Sequence, residues 1–556
     1  MTAAEKLKSL IDGEFEEVLS VMTSRTSYME LLEVIRQVET AYIAGGSPTD
    51  GFAEQKLFES VRMGWVRPFS FYLKHLPANQ QPLTFASKLE GKIWALNLLQ
   101  ETGNLELADR WVTAEKAGLV EIIEVEEYKF KVNPLHGIIE KEHYDRESID
   151  YVNSQIKKNN QNAYQRHTAK FKAIEKQMLT TLQVVDDTFI QYETTPDIDR
   201  YYSRLGYFYL SNNLVFEDFG GDDLFGGVPY SLYLKVVEEV NGVALKHIEY
   251  CKLAVKRNAK VDFFNILPYS FYEDKTLQDF SRYLNIPLPE VSQVFSCLTL
   301  DTANVTFHES LSGNILAPYV RTGYNQLTRT FFGAWEGGID FLKRELKRRY
   351  EKDYFNAVNR REARFRNDIY RFFKGNRFLT TTEEIEIKLP GLHTDIDGAI
   401  FDKKTRSLGL FQLKWQDMFF ASLQERRSRI SNLYPKATEW IDKMEKWTGS
   451  YSKTQIMTKL KFNLNDDVRE FENVYLFVVT RNQVHFTGIE PDERAAWATM
   501  FQLIESYDFY KVKLDDPIKE LYQQIKMGLP SNRIKEEGYP EMPSYTVYHQ
   551  KFELQF

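Results

Sequence analysis

A chain of 556 residues with 43% hydrophobic and 14% aromatic residues is too long for one ordinary core and too apolar for a disordered polymer, so two to four packed domains are expected. The formal net charge of −8 argues against an evenly spread nucleic-acid-binding surface. Two cysteines, Cys251 and Cys297, exclude a disulfide framework and match no common zinc spacing, so both are expected as buried thiols in a reducing compartment.

The chain starts MTAAEKLKSLIDGEFEE, with early acids and no apolar stretch of signal-peptide length. No apolar run approaches the roughly 20 residues that span a bilayer. A cytoplasmic protein without membrane contact is therefore expected. Apolar residues then recur at three and four, as in LEGKIWALNLLQETGNLELADRWVTAEKAGLVEIIE, which predicts a helical domain over residues 1–140. That run continues into the alternating VEEYKFKVN, so a winged-helix-like module competes with plain helical scaffolding. A second helical domain is expected over 141–345, with nothing resembling a strand-rich core between Pro134 and Tyr350. Its loop EDFGGDDLFGG contains the letters DFG, but no phosphate-binding Gly-rich loop or HRD loop precedes them, and turn chemistry explains them.

Charge then becomes uneven. From Phe341 to Arg377 there are 13 Lys and Arg against 5 Asp and Glu, a local +8, which leaves −16 for the rest. Beyond this basic helix the pattern alternates between helix and strand. RFLTTTEEIEIKL reads as one strand, and His393–Trp415 as a hairpin turning at Asp402–Ser407. A long helix follows from FFASLQERR, then the apolar strand NVYLFVVT, the helix DERAAWATMFQLIES, the strand FYKVKL and the helix PIKELYQQIK. The order α-β-β-β-α-β-α-β-α predicts an α/β domain over 346–556, a mixed sheet flanked by helices.

The hairpin HTDIDGAIFDKKTRSLGLFQLKW carries charges outside its turn. Period two places Asp395, Asp397 and Ala399 on one side and Ile396, Gly398 and Ile400 on the other. On the returning strand Gln412 and Lys414 share a side, opposite Phe411, Leu413 and Trp415. One side is expected to be apolar core and the other a polar cluster. A carboxylate, an amide oxygen and an ammonium on one face suit phosphodiester hydrolysis, where oxygens hold a hard cation and a positive group meets developing phosphorane charge. Asp397, the Gln412 side chain and the main-chain carbonyl of Leu413 are the expected ligands of Mg²⁺, with Mn²⁺ as a substitute. Lys414 is expected to orient or deprotonate the attacking water.

These residues resemble the PD-(D/E)xK phosphodiesterase superfamily in its QxK form, and are similar to Mrr-type restriction endonucleases. The motifs are Asp397-Gly398 and Gln412-Leu413-Lys414, and the likeness covers roughly Asp353 to the C-terminus. It implies an αβββαβ core, a Mg²⁺-dependent deoxyribonuclease acting on DNA or, as an alternative, RNA, and a role in microbial restriction or antiviral defence. It also implies a glutamate on the helix before the first strand. Glu362 fits, with Phe365, Ile369 and Phe372 or Phe373 on its stripe, and Glu351 is a weaker substitute. The usual proline before the aspartate is replaced by Ile396, and Gln412 removes a negative charge that Asp395 partly restores. His393 is a further supporting candidate as acid or base, although a structural histidine at a strand entrance is the favoured reading.

Lys347, Arg348, Arg361, Arg364, Arg426 and Arg427 are the expected DNA-binding cations, attracting phosphate without reading sequence. The helical region is expected to meet a partner protein, a DNA end or a second copy of the chain. Two other readings compete. A solvated strand face carrying Asp395, Asp397 and Lys414 would make the domain a silent nucleic-acid or protein-binding module. The letters DID could serve a sugar-nucleotide transferase, but no nucleotide-binding domain precedes them.

Overall fold

A computed structural model describes residues 1–23, 27–44, 52–77, 84–135, 140–212, 219–311, 314–415, 423–462, 470–486, 489–510, 515–527, 546–549 and 551–555. The chain is mixed α/β, with a mainly helical N-terminal region and a mixed sheet in its last third. It divides into two compact units. The first joins Met1–Leu135, Lys158–Phe355 and Ser544–Phe556, and the second joins His136–Lys157 and Asn356–Pro543. Among the described residues no helix is long and apolar enough to cross a membrane.

In the first unit the helical N-terminal segment ends in a hairpin, Val120–Glu126 against Lys129–Pro134. The hairpin does not stand alone. Glu553–Gln555 runs parallel to its second strand, with Leu554 opposite Phe130, and Thr546–Tyr548 completes a four-stranded sheet. Phe552 and Leu554 are buried by this pairing, which covers an edge that would otherwise be open to another chain. The end of the chain, expected with the last domain, thus belongs with the first.

The middle region also differs from a purely helical expectation. Tyr269–Tyr272, Gln326–Arg329, Tyr319–Gly323 and Thr299–Leu300 form a four-stranded sheet in that order. These strands have two to five residues and mix aromatic with polar side chains, so no period-two signal rises above the background. Beside them Pro196–Ser211 packs closely on Tyr230–Arg257. A Cβ on Gly206 would lie 2.1 Å from the Glu238 carbonyl oxygen, so only glycine permits this contact. Cys251 and Cys297 are buried and free, as expected.

The second unit is built from α1 (Glu140–Thr168, up to Lys157), α2 (Glu351–Tyr370, from Asn356), β1 (Phe378–Thr380), β2 (Ile385–Leu389), β3 (Leu392–Ile396), β4 (Gly398–Asp402), β5 (Ser407–Lys414), α3 (Leu423–Ser450), α4 (Lys453–Lys459), β6 (Asn473–Thr480), β7 (Ala496–Thr499), α5 (Met500–Tyr510) and α6 (Pro517–Met527). Its main sheet has the order β1-β4-β5-β6-β7. The β1, β4 and β5 neighbours are antiparallel, and β5, β6 and β7 are parallel. The parallel step from β5 to β6 needs a crossover, which α3 provides.

Apolar rows cover both faces of this sheet. Ala399, Phe401, Leu408 and Leu410 pack with α3 residues such as Leu433, Trp440 and Ile441. Ile400, Phe411, Leu413, Phe477 and Val479 pack with Phe365 and Ile369 of α2 and with Leu503 and Ile518. The hairpin is therefore not apolar on one side and polar on the other along its length. Core fills both sides, and the polar groups gather at one end.

Two strands expected as continuous are broken. RFLTTTEEIEIKL divides into β1, in the main sheet, and β2, which pairs only with β3. The first strand of the hairpin divides into β3 and β4 at Asp397, so the side-chain alternation resets there. Ile396 consequently packs with Ala399 and Phe401 rather than with Ile400. Residues 496–499, expected as helix, form the buried parallel strand β7 before α5 starts. Phe509 and Tyr510, expected to open a strand, end α5, and 511–514 lie outside the described residues.

Candidate active site

Asp397 occupies the break between β3 and β4, and three groups hold it there. Its N–H donates to the Phe411 carbonyl at 3.2 Å, and its own carbonyl accepts from Arg366 Nη1 at 3.0 Å. Two residues on, Ala399 N–H donates to the Tyr370 hydroxyl and to Thr381 Oγ1, each at 3.1 Å. Gly398 makes room for this: a Cβ there would lie 2.9 Å from the Tyr370 hydroxyl oxygen. Strand termination at Asp397 is thus enforced by α2, which supplies both Arg366 and Tyr370.

The Asp397 side chain is 4% exposed. Its Oδ2 accepts from Gln412 Nε2 at 2.5 Å and from Leu413 N–H at 2.6 Å, while no described donor bonds Oδ1. Burial pushes the Asp397 carboxyl up to about 7. Lys414 and the Leu413 N–H oppose that rise, and the Asp395 and Glu362 carboxylates reinforce it. Buried acid, ammonium and neighbouring acids therefore meet at one end of β5.

Glu362 on α2 and Glu384, just before β2, complete the group. One carboxylate oxygen from each of Glu362, Glu384 and Asp397 lies within 4.8 Å of the others. Glu384 is raised first by burial and then by the neighbouring Asp395 carboxyl, while Lys414 lowers it. The row Leu408, Leu410, Gln412, Lys414 explains how the sequence arrives here. Its first two members are core on the α3 side, and its last two continue the same face to the sheet end where the core stops.

Of the expected groups, Asp397, Gln412, Lys414, Glu362 and Asp395 come together. Gln412 turns its amide nitrogen to Asp397, so its oxygen is not the atom facing the carboxylate; a half-turn of the amide would exchange the two. Leu413 meets Asp397 through its N–H, and its side chain is core. His393 is exposed and pairs with Glu386 at 3.1 Å across β2 and β3, a partner that accounts for it at the strand entrance.

The expected DNA-binding cations separate. Arg361 is 2% exposed and lies over Trp415 at 5.3 Å from the ring centroid, so it is part of the packing behind the site. Arg364 is half-buried on the same helix. Lys347, exposed, and Arg348 belong to the first unit, where Arg348 donates twice to Glu345 at 2.8 Å. The weaker glutamate candidate, Glu351, is also in the first unit. Arg426 and Arg427 lie in α3, with side chains outside the described residues.

Glu384 is the group that sequence reasoning missed. Its signal was the doubled acid in TTEEIEIKL, placed just ahead of the alternating IEIKL, where a charge at a strand entrance aims past the sheet edge. Chemically, the cluster offers hard oxygen donors of net negative charge beside one ammonium, a donor set that fits an oxygen-preferring divalent cation. The chain matches no family model, no curated protein and no solved structure.

Proposed function

We propose that the second unit is a Mg²⁺-dependent nuclease that hydrolyses DNA phosphodiester bonds on a PD-(D/E)xK-like core. The observation that carries this reading is the meeting of the Glu362, Glu384 and Asp397 carboxylates, each within 4.8 Å of the others, with Lys414 coupled electrostatically to both Asp397 and Glu384. The order α2, then β1, β4 and β5 of the main sheet with the side hairpin β2–β3 between them, then α3 and β6, with β6 parallel to β5, supports the core assignment.

Asp397, Glu384 and Glu362 would hold the ion, and Asp395 would add charge nearby. Bound there, a divalent cation supplies Lewis acidity at a phosphoryl oxygen and lowers the pKa of water. The chain's own part is positioning. Gln412 and Leu413 N–H fix the Asp397 carboxylate, and the Lys414 ammonium orients the attacking water and meets the negative charge that develops on phosphate oxygens. The attacking water gives up one proton to solvent as its oxygen bonds to phosphorus and the bond to the departing sugar oxygen breaks, and that sugar oxygen takes up a proton from solvent.

The test is plasmid cleavage in Mg²⁺ with DNA binding followed in parallel. Lys414→Ala and Asp397→Ala are each expected to lower the cleavage rate by about 10²-fold or more while binding persists. A wild-type protein that binds DNA but cuts none with any divalent ion would favour the binding-module reading instead. A role in microbial restriction or antiviral defence rests on the resemblance alone.

A further inference from the structure

A cavity of about 660 Å³ opens beside the acid cluster, between the chain entering β2 and helix α4 with the turn that follows it. Glu384 belongs to both: it contributes an oxygen to the three-carboxylate cluster and forms part of the cavity wall. The cavity and the cluster therefore share a wall residue. The volume lies within the roughly 300–1,000 Å³ that ligand pockets span, enough for one nucleotide.

The charges around the wall are unequally occupied. Glu383 is paired with Lys461, and Glu386 is paired with Lys388 at 2.7 Å and His393 at 3.1 Å. Glu384 has the Asp395 carboxyl as a neighbour. Lys459 is exposed on the lining and has no ion-pair partner among the described residues. Thr458 stands next to it with a hydroxyl that can still accept. Ile385, also part of the lining, is buried.

We infer that this cavity seats the nucleotide adjoining the cleaved phosphodiester of a DNA strand, with the next phosphate along the strand held by Lys459. The inference rests on the nuclease reading, since it takes Glu384 as the point where the strand meets the reacting centre. A compact cation one nucleotide from the cleaved bond fixes the strand's register without reading its sequence.

The experiment uses the full chain carrying Asp397→Asn, so that binding is measured without cutting. A fluorescein-labelled DNA oligonucleotide is titrated across a NaCl series, with anisotropy as the readout. Adding Lys459→Ala is expected to weaken binding severalfold and to reduce the log–log salt slope by about 0.7–0.9, the value for one lost phosphate contact, with Lys459→Arg restoring both. Lys443→Ala, which removes a cation paired with Glu439 on α3, is the control expected to match the parent. Unchanged affinity and slope in Lys459→Ala would overturn the inference, and it would fall alone if the wild-type chain cleaves DNA. A lysine-dependent slope in a protein whose wild type cleaves nothing would leave a phosphate contact at Lys459 but overturn the inference together with the nuclease reading, because no cleaved bond would adjoin it. A parent chain that binds no DNA would remove both.

Discussion

Asp145 and Asp397 are both buried carboxylates of the second unit, and their oxygens are used in opposite ways. Asp145, fully buried on α1, accepts at both oxygens: Oδ2 takes the Val484 and His485 N–H groups at 2.9 Å, and Oδ1 takes His485 Nδ1 and Gln502 Nε2 at 2.8 Å. Four donors saturate the group. Ser148, one turn along, donates to Glu505 at 2.9 Å, so α1 is stitched to the chain after β6 and to α5. Asp397 takes both of its hydrogen bonds on Oδ2, and the Asp395 and Glu362 carboxylates act on it together with the Lys414 ammonium. A carboxylate whose lone pairs are all satisfied secures a fold, whereas one left half-satisfied among like charges is suited to hold a cation.

The comparison can be broken at several places. Asp145→Ala should have the largest effect on stability, about 3–5 kcal/mol, because it strands four buried donors together. Denaturant unfolding of the full chain, followed by tryptophan fluorescence, measures it; a loss below about 1 kcal/mol would mean that α1 is not secured by this aspartate.

Asp397→Asn should act in the opposite direction in metal-free buffer. Its carboxyl is raised from 3.8 to about 7, so the folded state binds this proton more tightly than the unfolded chain does. The stability that the group contributes is therefore fully present below pH 3.8 and is lost as pH rises through 7, a change of a few kcal/mol. With EDTA present, the variant should unfold later than wild type at pH 8 and alongside it near pH 4. A pH-independent difference would show that the raised proton affinity is not what the substitution relieves.

Gly398→Ala sharpens the account of the strand break. The added methyl would sit 2.9 Å from the Tyr370 hydroxyl, which must retreat from Ala399 N–H and Thr381. A cost of about 1–3 kcal/mol is expected, seen as a lower unfolding midpoint, with weaker cleavage because Asp397 is the preceding residue. His393→Ala should change least: its ring pairs with the exposed Glu386, so cleavage within about twofold of wild type and stability within about 0.5 kcal/mol are expected.

The same contrast shows what a sequence exposes and what it hides. Asp397, Gln412 and Lys414 were legible because pairing within one hairpin follows from period two, and Phe411 opposite Gly398 places Gln412 next to Asp397. Glu384 was hidden because TTEEIEIKL reads as one strand, while the chain in fact leaves the main sheet between β1 and β2 and returns a glutamate from the bend. Arg361 was misread for a different reason. Counting charge ignored that Ala357, Arg361 and Phe365 recur at four, the spacing of α2's buried stripe. Asp145 lies hundreds of residues from His485 and Gln502, and no local pattern links them. The C-terminal strands were similarly out of reach, since Leu554 pairs with Phe130 across most of the chain.

The central claim is that Glu362, Glu384 and Asp397 form one cation site beside Lys414. Anomalous scattering from crystals of the full chain grown with Mn²⁺ tests it most directly. The account predicts a peak bonded to Asp397 and to at least one of the two glutamates, lost in Asp397→Ala crystals; strong peaks found only elsewhere, with these three carboxylates turned away from each other, would contradict it.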